Sequence, residues 1–104
     1  MSHGTLSKLN EVIGGNWSYR SERNIFESDL LHRSVANDVS TCLSESHGIT
    51  ANVNDPPPRR TDDKVTLSIS GDADLSALYK MQPRPNLVDH YTKLSGIADS
   101  PELY

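Results

Sequence analysis

The chain has 104 residues, 35% of them apolar, with one Phe, one Trp, one Cys and a formal net charge of -4. That length suits one compact domain, and so small an apolar store implies a modest core that self-association would reinforce. The acidic balance excludes a general nucleic-acid surface, which needs clustered Lys and Arg, and no apolar run approaches the roughly 20 residues of a membrane span.

Leu6, Leu9, Val12 and Ile13 share one face of a first helix, which Thr5 or Ser7 can cap and Gly14-Gly15 ends. WSYR and NIFES follow as two short strands turning at Ser21-Glu22, a hairpin. From Asp29 the spacing of Leu31, Val35, Val39, Cys42 and Leu43 marks the longest helix, closed by Gly48 in a left-handed cap. Cys42 is read there as a small buried hydrophobe, since a single cysteine can form no internal disulfide.

ITANV (49–53) is a strand leading into three prolines. Val65, Leu67 and Ile69 then alternate with Thr66, Ser68 and Ser70, the pattern of a strand buried on one face, and the two strands suit antiparallel pairing. Gly71-Asp72 breaks the second strand. Asp72 or Asp74 can cap a short helix holding Leu75, Leu78 and Tyr79, which Pro83 and Pro85 stop. Pro85 opens a last helix with the stripe Leu87, Val88, Tyr91 and Leu94 before Gly96.

The predicted order is α-β-β-α-β-β-α in a single domain over 1–96, followed by a loose tail over 97–104. An α+β fold follows: a four-stranded antiparallel sheet with helices packed on one face, the other face polar or covered by a partner.

The sites that chemistry would need are scarce. His3, His32, His47 and His90 make no pair at metal-ligand spacing with each other or with Cys42, so no metal and no cofactor are expected. His32 and His90 fall in predicted helices among polar neighbours and suit solvated or capping roles. Gly14-Gly15 follows a helix rather than opening one, so it is no phosphate loop. Asn16-Trp17-Ser18 matches a glycosylation acceptor, but the amino terminus lacks a basic and apolar leader, so the match is read as chance and the expected location is cytoplasmic. Asp62, Asp63 and Lys64 are read as charges that keep a strand entrance soluble and discourage edge pairing. Pro57, Pro58, Arg59 and Arg60 form a stiff basic stretch, the expected contact with a protein partner.

LNEVIGGNW, NIFES and KVTLSIS stand in that element order, and together they resemble the pterin carbinolamine dehydratases, a family also described as dimerisation cofactors. The resemblance runs over about residues 6 to 95. It implies a fold in which a His-His-Pro motif after the long helix and a His at the end of the following strand move protons as water leaves a hydroxylated pterin. Imidazole suits that work because it gives and takes protons near neutrality. An ungapped count from KVTLSIS places Asn54-Asp55-Pro56 on the motif and Asp72 on the strand-end histidine; with a gap, His47 takes the motif position. Either way, most of the imidazoles are missing.

The resemblance therefore implies a dehydratase-like module that has lost catalysis and works as a homodimer or as an assembly partner of a larger protein. Two alternatives stay open. One is an active dehydratase using His47, Asp55 and Asp72 on a bound pterin, and the other is an unrelated small interaction domain.

Overall fold

The computed structural model describes residues 3–55, 63–81 and 85–95. The chain opens with helix α1 (His3–Lys8), which begins upstream of both capping candidates and relaxes into one π-helical turn over Leu9–Ile13. The wider turn places Leu9, Val12 and Ile13 together in the core, all fully buried. Gly14 ends it at φ 81°, a conformation costly to any residue with a Cβ. Trp17 is then locked by its surroundings: its indole N–H donates to Gly14 O at 2.7 Å, and its backbone N–H donates to Asn10 Oδ1 at 2.6 Å.

The expected hairpin forms from β1 (Ser18–Arg20) and β2 (Ile25–Glu27), antiparallel, with the turn over residues 21–24. A short strand β3 (Leu31–His32) precedes the long helix α2 (Arg33–His47), so the helix begins four residues later than its apolar spacing suggests. Gly48 closes α2 at φ 68°. Next come β4 (Asn52–Asn54) and β5 (Lys64–Ser70), then a 3-10 turn over Ser76–Lys80 and helix α3 (Leu87–Ser95). Of the ITANV segment only its end is strand, while Ile49 and Ala51 are buried in the approach to it.

The sheet is antiparallel and has five strands rather than four. The extra strand has a simple origin. Glu27 stands opposite Ser68 and Leu31 opposite Val65, so three residues (28–30) face two (66–67), and one extra residue bulges out of the path. β3 is thus the continuation of β2 along the same side of β5, with Ser28 holding the gap: its N–H donates to Leu67 O and its Oγ accepts from Leu67 N, both at 2.9 Å. β4 lies on the other side of β5, with Val53 opposite Leu67.

β5 is consequently the central strand. Val65, Leu67 and Ile69 are fully buried beneath the helices, but Thr66 and Ser68 are also buried, so the expectation of a strand covered on one face only is corrected. Their cover comes from within the sheet: Asn54 Nδ2 donates to Ser68 Oγ at 2.9 Å, and Thr66 Oγ1 donates to Glu27 Oε2 at 3.5 Å. α2 packs over β3, β4 and β5, and α3 packs on α2 and on the π turn after α1, which puts the first and last helical elements on one side. Two expected core residues are exposed, Tyr79 at 58% and Leu94 at 67%. Cys42 is half-buried rather than buried, and α3 meets it with the hydroxyl end of Tyr91. The hydrogen bond to Cys42, then burial, then the charges of Cys42 and Asp38 push the Tyr91 hydroxyl above the ordinary phenol value.

Candidate functional site

The most specific polar constellation brings together three segments that are distant in sequence. Arg33, the first residue of α2, donates from Nη2 to Asp55 Oδ1 at 2.7 Å and from Nε to Asp63 Oδ1 at 2.8 Å. Its backbone N–H also donates to Asp63 O at 2.9 Å. Asp55 follows β4 and Asp63 precedes β5, so one guanidinium holds both stems of the connection 56–62. The planar fork makes this possible, since its donors point along two directions at once. The hydrogen bonds to Asp63 and then Asp55, followed by the charge of Asp55, raise the Arg33 pKa further above its ordinary value.

Asp63 was expected to be a solubilising charge at a strand edge. Instead it is a tertiary ligand of Arg33 and adopts φ 56°, a left-handed conformation that Asp tolerates better than most residues. Lys64 begins a central strand, opposite His32. Asp62, Pro57, Pro58, Arg59 and Arg60 lie outside the described residues.

The three proton-transfer candidates are not gathered at one place. Asp55 is exposed and bound to Arg33 at the start of α2. His47 is the last residue of that helix, whose 15 residues span about 20 Å. Asp72 is exposed beyond the far end of β5, a strand about 20 Å long that starts next to Asp63; the Asp72 N–H donates to Ser70 Oγ at 3.0 Å. Asp55 is therefore remote from both of the others. Neither expected aspartate caps the 3-10 turn, whose N-cap position is held by Leu75; Asp74 instead forms a local turn with Ser76, its Oδ1 accepting from the Ser76 N–H at 3.0 Å and from Ser76 Oγ at 2.8 Å, which lowers its pKa.

No protein-family model, curated protein or solved structure matches this chain. Geometry alone must therefore carry the functional argument.

The outer face of the sheet is the second polar feature. At its centre Glu27, with its side chain 16% exposed, accepts from Arg20 Nε at 3.0 Å and pairs with Arg23 at 3.8 Å, while Thr66 reaches its other oxygen. Around this lie Ser68 and Asn54, bonded to each other. Among the described residues, no buried side-chain nitrogen or oxygen lacks a partner, and no three His, Cys, Asp or Glu side chains gather as metal ligands. Nor is any helix among them long and apolar enough to cross a membrane.

Sequence reasoning passed over Arg33. A signal was present: a cation at the first position of a long helix, with no acidic residue in the first turn, opposes the helix dipole and calls for carboxylates from elsewhere. Which carboxylates answer it was not readable, because they lie 22 and 30 residues away.

Proposed function

We propose that this chain is a pterin carbinolamine dehydratase-like module that binds rather than catalyses, as a homodimer or as an assembly partner of a larger protein. The α+β fold supports the reading, with its order of helix, hairpin, long helix, two strands and a last helix on one side of an antiparallel sheet. The observation that carries it is the state of Asp55. The carboxylate that would replace an imidazole is exposed, salt-bridged to Arg33 and distant from His47 and Asp72, so no shared proton-transfer pocket forms around the three. The contact element assigned by this reading is the basic Pro57–Arg60 stretch, whose flanking aspartates Arg33 holds together.

The test has two arms. Purified protein mixed with a pterin carbinolamine leaves the dehydration rate at its uncatalysed value, and light scattering gives a mass near twice 11.5 kDa, or a monomer that is captured by a larger partner. Dehydration clearly above background that is lost in His47→Ala or Asp72→Ala overturns the reading.

One observation favours a second reading, an active dehydratase with a substituted site. α2 ends at His47, so matching helix ends puts the family motif on His47-Gly48-Ile49, ahead of β4, and keeps one imidazole. In that case His47→Ala removes the activity and Asp55→Ala leaves it intact.

A further inference from the structure

His32 caps α2, a position that Ser, Thr, Asp and Asn usually fill. Its backbone is extended, at φ -59° and ψ 139°, and its Nδ1 accepts from the Ser34 N–H at 3.4 Å and lies 3.2 Å from Ser34 Oγ. An imidazole nitrogen accepts a hydrogen bond only while it carries no proton, whereas the usual cap oxygens accept throughout the neutral range. A second observation concerns the sheet. His32 is also the last residue of β3, where it stands directly opposite Lys64 of β5.

The charged residues next to His32 in register and along the chain are therefore Lys64 across the strand pair, Arg33 next along the chain, Asp63 beside Lys64, and Asp55, which Arg33 binds. Both aspartates are engaged by the Arg33 guanidinium, so their charge is largely offset. We infer that His32 is a pH-sensitive cap: unprotonated it closes the first turn of α2, and protonated it releases that turn together with β3.

Three effects act in the same direction on protonation. The cap acceptor is lost, a cation is created at the positive end of a 15-residue helix, and two cations come to face each other across β3 and β5. Protonation thus favours the loosened junction, so the stabilisation is present while the ring is neutral and is lost as the ring takes up a proton. β3 is only two residues long, so the junction holds few other contacts of its own kind. Arg33 follows His32 directly, so its hold on Asp55 and Asp63 weakens as the turn opens.

Amide hydrogen exchange at Ser34, corrected for the intrinsic chemical rate and compared at pH 7.5 and 5.5, tests the inference, with Phe26 in β2 as reference. Protection at Ser34 is expected to fall about fivefold at the lower pH, the size of effect one helix cap carries, while Phe26 holds. In His32→Asn, which caps without titrating, the fall disappears; in Lys64→Gln it shrinks. Equal protection at both pH values in the unsubstituted chain overturns the inference, as does an undiminished fall in His32→Asn. If His32→Asn does not fold, an undiminished fall in Lys64→Gln together with an unchanged Ser34 amide shift on histidine titration overturns it instead.

Discussion

At the scale of single residues, Arg33 does most to join parts of the chain that the sequence leaves apart. Its pairs with Asp55 and Asp63 are exposed, so water and salt screen them and their effect on global stability is small. Arg33→Gln is expected to lower the thermal midpoint slightly in dilute buffer, and the difference should close in molar salt; a calorimetric comparison at two ionic strengths reads this. Asp74 gives a separate prediction in pH. Its two hydrogen bonds from Ser76 favour the ionised form and hold its pKa below the ordinary carboxylate value, so it stabilises the fold above the ordinary range and ceases to do so as pH falls through the lowered value. Ser76→Ala removes the hydroxyl donor but keeps the backbone N–H, and should return the Asp74 titration part of the way toward ordinary when followed by carbon NMR.

At the scale of elements, β5 and the glycine after the π turn matter most. Leu67 is fully buried in the central strand, opposite Val53 on one side and bonded through its backbone to Ser28 on the other. Leu67→Ala should cost about 2–5 kcal/mol in urea unfolding, the usual loss of transfer energy plus cavity. Gly14 meets two demands at once. Its φ of 81° strains any other residue, and a Cβ there would sit 2.7 Å from Asn86 Oδ1. That oxygen accepts from the Asp89 N–H at 2.8 Å and so caps α3. Gly14→Ala is therefore expected to destabilise by about 1–3 kcal/mol through strain plus a displaced cap, and to raise amide exchange at Asp89.

For the whole molecule, the helices were legible in the sequence and the sheet only in part. The run from Val35 to Leu43 repeats with helical spacing and Gly48 ends it, signals that stay within one turn of the chain. Alternation in KVTLSIS located β5, yet it misstated the burial of Thr66 and Ser68, since their cover is Glu27 and Asn54 from neighbouring strands. Tyr79 and Leu94 fitted apolar stripes and proved exposed, because a stripe marks a face and does not say how far a partner element extends over it. The candidate site was the least legible part. His47, Asp55 and Asp72 were singled out by counting along the chain, and counting carries no information about which ends of α2 and β5 they occupy.

What the sequence determined by itself is local: helix periods, the glycines that stop them, the hairpin turn, and the α+β order of elements. Each depends on backbone preference and side-chain spacing over a few residues. Only the tertiary structure decided that β2 and β3 are one path broken by a bulge, that Arg33 ties Asp55 to Asp63, and that His32 faces Lys64. Those facts follow from strand register and helix placement, which are set by burying Leu9, Leu43, Leu67 and their neighbours together, a condition on the folded chain as a whole.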